Sequence, residues 1–372
     1  MNDRPAALLV LEDGRSFAGE AYGAWGETFG EAVFATGMTG YQETVTDPSY
    51  ARQIVVMTAP QIGNTGVNDE DAESGRIQVA GLAVRDPCRR PSSWRARRGL
   101  EAELATAGVV GIAGIDTRAL TRHLRERGVM RAGITSGGMT RAELCARARV
   151  IPRMAGADLS GEAGTTDPYV VPAAGSCRFR VAVLDLGLKR STTARLAAAG
   201  CEVHVLPATS TAADLLRTDP DGVLISNGPG DPSAADAAVA AVRGVLDRSR
   251  PVFGICFGHQ ILARALGLST YKLRYGHRGI NAPVRDRRTG RVHVTSHNHG
   301  FAVAAALDRR IDTPYGGVEV SAVGLNDGVV EGLRCHDIPA LSVQYHPEAA
   351  PGPHDATGLF AEFTDLMAAA AP

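Results

Sequence analysis

The chain has 372 residues, 39 basic and 40 acidic side chains for a net charge of −1, six cysteines, and 44% hydrophobic residues. A near-zero charge excludes a nucleic-acid binder that works by bulk charge, the hydrophobic content excludes a disordered chain, and no apolar run approaches the roughly 18 residues a membrane helix needs. At about 150 residues per domain the length predicts two domains, each able to bury a core.

The apolar stretch at the N-terminus is too short for a signal peptide and has no small-residue cleavage pattern after it, so a cytoplasmic location is expected. Lys189 and Lys272 are the only lysines in an arginine-rich chain, which reads as genome composition. Strands are predicted over 7–12, 31–35 and 53–58, broken by Asp13-Gly14, by Gly37 and Gly40, and by Pro60. Helical spacing of apolar residues follows over 99–108 and 116–128, with Asp116-Thr117 as a cap and Gly128 as a stop. The first half, residues 1–155, is therefore a mixed α+β domain.

Periodicity then disappears, and residues 156–177, rich in Gly, Ala, Ser, Thr and Pro, read as a linker. From 178 to 372 strand and helix alternate: strands at 180–186, 202–206, 222–226 and 251–255, helices at 192–199, 211–217, 233–248 and 257–266. That alternation predicts an α/β domain, a doubly wound and mostly parallel sheet with helices on both faces. No G-x-G-x-x-G follows the first strand and no G-x-x-x-x-G-K-[ST] occurs, so neither a dinucleotide site nor a P-loop is supported.

The sharpest local signal is Gly254-Ile255-Cys256-Phe257-Gly258, where a buried strand stops at a cysteine and a helix begins at once. This G-x-C-x-G pattern is a nucleophile elbow: small flanking residues permit a sharp turn that lifts the thiol above the sheet edge, and the helix N-terminus behind it favours thiolate. The competing reading is a structural cysteine at a strand end. The other five cysteines, Cys88, Cys145, Cys177, Cys201 and Cys335, form no C-x-x-C pair, so neither a zinc cage nor a disulfide framework is indicated. A thiolate nucleophile needs a base and a group to orient that base. The apolar strand ending in His346-Pro347-Glu348 offers both, because Pro347 favours an extended backbone in which residues i and i+2 point the same way.

The glycine-rich turn Ser226-Asn227-Gly228-Pro229-Gly230-Asp231-Pro232 reads either as a source of backbone N–H groups for an oxyanion or as an ordinary connecting loop. His293, His297 and His299 invite a metal reading. Their spacing is assigned to a strand-to-turn junction with no carboxylate or cysteine nearby in sequence, so no metal is expected.

Together these residues resemble the class I (triad) glutamine amidotransferases, whose triad here would be Cys256, His346 and Glu348. The resemblance extends over nearly the whole chain. Thr39-Gly40-Tyr41-Gln42-Glu43, Thr46-Asp47-Pro48-Ser49-Tyr50, Ile62-Gly63-Asn64 and Gly114-Ile115-Asp116-Thr117-Arg118 are similar to the N-terminal domain of the small, glutamine-hydrolysing subunits of carbamoyl phosphate synthase. So, in the C-terminal half, are Tyr275-Gly276-His277-Arg278-Gly279 and Asn298-His299-Gly300-Phe301.

By that resemblance, L-glutamine is held by Ser49, Gly228, Gly230, Phe257, Gln260, Asn298, Gly300 and Phe301, with the backbone N–H groups of Gly230 and Phe257 forming the oxyanion hole. Phe257 stands where the family often has leucine. Ser49 lies in the first domain, which implies that glutamine binds close to the domain interface. The resemblance implies no cofactor on this chain, with ATP and Mg on a large partner subunit that receives ammonia through a tunnel and makes carbamoyl phosphate for arginine and pyrimidine synthesis. The implied assembly is a heterodimer or a higher oligomer of it, without nucleic acid or membrane. Two other readings are a glutaminase for anthranilate or guanylate synthesis, which does not account for residues 1–150, and a non-catalytic glutamine-binding scaffold, which does not account for an intact thiol and base.

Overall fold

The computed structural model describes residues 4–370, and its chain divides into two compact units: residues 1–154 with 274–279, and residues 155–273 with 280–372. In the first unit β1 (Ala6–Leu11), β2 (Ser16–Gly23), β3 (Glu27–Ala35), β4 (Gln53–Met57), β5 (Gly81–Ala83), β6 (Val110–Ala113) and β7 (Met130–Thr135) close into a barrel in the order β1-β2-β6-β5-β4-β3-β7. Strand alternation sorts its apolar side chains into two sets. Ala32, Phe34, Ile54 and Val56 join one core with Leu120 and Leu124. Val33, Val55 and Met57 join another with Tyr41, Val45, Leu100 and Leu104.

The helix expected over 116–128 is Thr117–Arg127, where the Asp116 carboxylate accepts from Ala119 N–H and Gly128 takes a φ of 96°. Strand β2 and the helix Arg141–Val150 were not legible from periodicity, although that helix carries a capping box between Thr140 and Glu143.

The second unit is built on an eleven-stranded sheet, one of whose strands also includes residues 274–279 of the first unit. Its strands are β8 (Tyr169–Val171), β9 (Phe179–Asp185), β10 (Cys201–Pro207), β11 (Gly222–Ile225), β12 (Val252–Ile255), β13 (Ser269–Asp286), β14 (Val292–Ala304), β15 (Ile311–Thr313), β16 (Gly316–Gly324), β17 (Val330–Cys335) and β18 (Ala340–Val343). Five of them, in the order β10-β9-β11-β12-β18, run parallel. Their near-continuous apolar sequences follow from burial on both faces. Ala182, Leu184, Val223 and Ile225 pack into one core, and Val181, Val183, Leu224 and Phe253 into the other.

The α/β architecture expected for this half is thus present, with two differences. The helix expected over 233–248 is a 3-10 turn, Pro232–Ala234, followed by Asp236–Leu246. Residues 156–177 are built into the second unit, since Tyr169–Val171 pairs antiparallel with β10. Among the described residues no helix is long and apolar enough to cross a membrane.

Candidate active site

Strand β12 ends at Cys256, which takes φ 55° and ψ −102°, and the helix Phe257–Ala265 starts immediately behind it. That left-handed conformation is strained for a residue with a side chain and is held by its surroundings. Cys256 N–H donates to Val343 O at 2.8 Å, and the thiol donates to Asn298 O at 3.5 Å. The glycines on either side are required by space. A Cβ on Gly254 would lie 2.6 Å from Gly258 O, and one on Gly258 would lie 2.1 Å from Ile225 O.

Because the obstacle is backbone of a central strand, Gly258→Ala is expected to cost about 2 kcal/mol or more by overpacking. Urea denaturation checks this, and unchanged stability would contradict the packing described. Of the other cysteines, Cys201 and Cys335 are held as unreactive thiols, since burial pushes the first up to about 11 and the second up to about 12.

The strand β18 lies beside β12, and the chain beyond it carries His346 and Glu348. His346 Nδ1 is 2.7 Å from Glu348 Oε1, so the carboxylate accepts and the ring proton sits on Nδ1. The ring's Nε2 remains for chemistry. It is buried without a well-formed hydrogen bond, and the Cys256 sulfur is near enough to act on the ring's charge. Burial would push the imidazole's proton affinity down, but its interactions with Glu348 and the Cys256 sulfur outweigh it and hold the ring well above the usual histidine value. Burial likewise opposes ionisation of Glu348, and Lys189 and His346 prevail, holding its carboxyl to about 2.

Lys189 was not singled out by the sequence. Its Nζ sits 3.1 Å from Glu348 Oε1 and donates to Ala350 O at 2.8 Å, with the two side chains 3% and 0% exposed. The available signal was composition: a lysine where arginine is used almost everywhere else. His259, on the elbow helix, is a different case. Burial pushes it down to about 3, and its Nδ1 is tied to Ser342 Oγ at 2.8 Å, so it stays neutral and structural.

The loop after β11 brings Gly228 and Gly230 to the same sheet edge. A Cβ on Gly228 would lie 2.2 Å from Leu186 O, and Gly230 takes a φ of 104°. The former linker region clamps this loop: Asp231 N–H donates to Ala157 O, and Gly156 N–H donates to the Asp231 carboxylate, both at 2.8 Å. Phe257 buries its ring in the core under the sheet, which accounts for its tolerance at this position.

Gln260 uses its amide donors on Phe301 O at 2.9 Å and Gln344 Oε1 at 3.0 Å, leaving its carbonyl oxygen as the acceptor it can offer. Asn298, Gly300 and Phe301 lie together on β14. Ser49 belongs to the first unit, on the turn Pro48–Tyr50, where its N–H donates to the Asp47 carboxylate.

One expectation is corrected. His293, His297 and His299 do not sit at a strand-to-turn junction but within the thirteen residues of β14. A carboxylate is also near: Glu331 Oε2 is 3.8 Å from His297 Nδ1. It escaped notice because β17 follows in sequence more than thirty residues later and meets β14 only through sheet pairing.

The carbamoyl-phosphate synthase small chain, CPSase domain, family model matches residues 9–134, and the class-I glutamine amidotransferase model matches residues 182–366. Among similar proteins, the carbamoyl phosphate synthase small chain of Streptomyces coelicolor is 65% identical over 98% of this chain and 96% of its own length. That of Streptomyces avermitilis is 66% identical over 97% and 96%. That of Mycobacterium tuberculosis H37Rv is 58% identical over 97% and 98%.

Proposed function

The chain belongs to the family of carbamoyl phosphate synthase small chains, the glutamine-hydrolysing subunits, and from that premise we propose that Cys256, His346 and Glu348 carry the hydrolysis. The subunit converts glutamine to glutamate and ammonia, and its partner is the large subunit that makes carbamoyl phosphate. One observation supports the assignment above the others: a thiol raised on a strained elbow beside a buried imidazole whose far nitrogen is locked to a carboxylate.

In the proposed reaction the Cys256 thiolate attacks the glutamine side-chain amide carbon. Backbone N–H groups of Gly230 and Phe257 are proposed to receive the oxyanion, the charge that develops on the amide oxygen as sulfur adds. The His346 imidazolium gives its Nε2 proton to the departing ammonia, leaving a γ-glutamyl thioester on sulfur. His346, now neutral, takes a proton from water, and the resulting hydroxide hydrolyses the thioester to glutamate. Glu348 keeps the imidazole in the required tautomer throughout. Gly228, Gln260, Asn298, Gly300 and Phe301, with Ser49 from the first unit, are proposed to hold glutamine. ATP and Mg are assigned to the large subunit, and the working assembly is a heterodimer or a multiple of it.

Acid quenching of the enzyme mixed with radiolabelled glutamine tests the scheme. Label is expected in the protein fraction, released by neutral hydroxylamine and mapping to Cys256. Label on another residue would overturn the assignment.

A further inference from the structure

Gly230 has no side chain to hold it in place, and its φ of 104° lies where only glycine is at ease. Whatever fixes its peptide therefore comes from outside it. The far end of its loop is tied to the elbow helix, where Arg264 Nη1 donates to Pro232 O at 2.8 Å. The middle of the loop leans on residues 155–159, the segment that opens the second unit.

Asp158 and Gly230 oppose each other in an isolated antiparallel bridge, and Asp231 N–H donates to Ala157 O at 2.8 Å. That bond lies one residue to the side of the opposed pair, the pattern of an antiparallel pair that exchanges no bonds of its own. The segment thus grips Gly230 without spending its N–H, which is turned the other way. The grip is close, since a Cβ on Gly230 would lie 2.6 Å from Ala157 O.

The Asp231 carboxylate closes the grip. Its Oδ2 accepts from Gly156 N–H and its Oδ1 from Ser233 N–H, each at 2.8 Å, and the residue is 7% exposed. One planar group thereby joins the segment on one side of Gly230 to the turn Pro232–Ala234 on the other. A carboxylate accepts on both oxygens, whereas a carboxamide would set a donor against one of the two N–H groups.

We propose that Asp231 is a positioning residue for glutamine hydrolysis: by holding residues 156–158 against the loop, it sets the direction of the Gly230 N–H that the developing oxyanion meets. The inference rests on the assignment of Gly230 to the oxyanion made above. Asp231 touches no reacting atom and acts only through its neighbour's peptide. Removing an oxyanion donor outright costs about 10²–10³ in kcat. A donor still present but free to turn loses part of that, because a hydrogen bond weakens steeply with angle.

The test uses the full chain assembled with its large subunit. Asp231→Asn keeps the side chain's shape and one acceptor oxygen. Its kcat for glutamate release is expected to fall by about tenfold or more, with KM within about threefold of the wild type and a similar melting temperature. Alkylation of Cys256 by iodoacetamide forms a sulfur–carbon bond and expels iodide, with no oxyanion. Its rate is expected to stay at the wild-type value, whereas general damage to the elbow would change it.

Gly156→Ala is the second variant. Gly156 is exposed, with a φ of 80° and nothing within 4 Å of an added Cβ, so the substitution loosens the segment without a clash. Its kcat is expected to fall in the same direction by a smaller factor. A folded Asp231→Asn protein with wild-type kcat overturns the proposal, and so does one whose alkylation slows in step with hydrolysis. Should Asp231→Asn not fold, an unchanged kcat in Gly156→Ala overturns it instead. Absence of γ-glutamyl label on Cys256 in the wild type would mean that the catalytic assignment itself had failed; with that label present, the variants judge Asp231 alone.

Discussion

Replacing Cys256 with serine lowers glutamine-dependent carbamoyl phosphate synthesis by about 10³-fold or more, while synthesis from ammonium chloride by the same reconstituted complex stays at the wild-type rate. The reason is chemical. Serine matches cysteine in shape, so it can occupy the elbow at φ 55° and keep the N–H bond to Val343 O. Its hydroxyl is not ionised by an imidazole as a thiol is, so no nucleophile forms. Ammonia bypasses the elbow altogether, and its use reports that the partner's chemistry is intact. Glutamine-dependent synthesis near the wild-type rate would remove Cys256 from the mechanism, and equal loss with both nitrogen donors would mean that the substitution damaged the assembly instead.

Lys189→Met destabilises the second unit by about 3–5 kcal/mol, the usual cost of leaving one member of a buried ion pair without the other. Methionine keeps most of the lysine stem's volume, so the loss is electrostatic rather than a cavity effect. It removes the strongest of the interactions that keep Glu348 ionised against burial.

The pH dependence follows from the same carboxyl. Its folded value, about 2, lies below the ordinary 4.5. It therefore contributes stability that is complete above 4.5 and is lost as pH falls toward 2. Without Lys189 burial pushes the carboxyl back up, so the variant begins to lose stability at a higher pH than the wild type. Urea denaturation between pH 3 and 7 measures both effects. Glutamine hydrolysis falls too, because His346 loses the fixed charge that orients it. A Lys189→Met protein as stable as the wild type across that range would show that His346 alone sustains the Glu348 charge.

The site was legible where chemistry leaves a local signature. Gly254, Cys256 and Gly258 stand out because a sharp strand-to-helix turn admits only small neighbours, and the clearance between Gly258 and Ile225 O is the physical form of that rule. His346 and Glu348 stand two apart on an extended segment, so local geometry was enough to place them side by side. Helix Thr117–Arg127 was legible from its cap, its stop and its spacing. Less was visible where burial on both faces erases alternation or where a segment has few apolar residues. Residues 156–158 look like a tether by composition, yet their backbone clamps the loop of Gly230, and backbone hydrogen bonds leave no mark on residue type.

By itself the sequence determined the α/β class of the second half and singled out Cys256, His346 and Glu348 as the proposed nucleophile, base and orienting carboxylate, because each signal rests on residues within a few positions of one another. The tertiary structure alone decided what stands against them. Lys189 reaches Glu348 across about 160 positions of chain, and Glu331 reaches His297 only because β17 pairs with β14. Charges act through distance in space, and a sheet sets that distance by strand order, which the order of residues along the chain does not record.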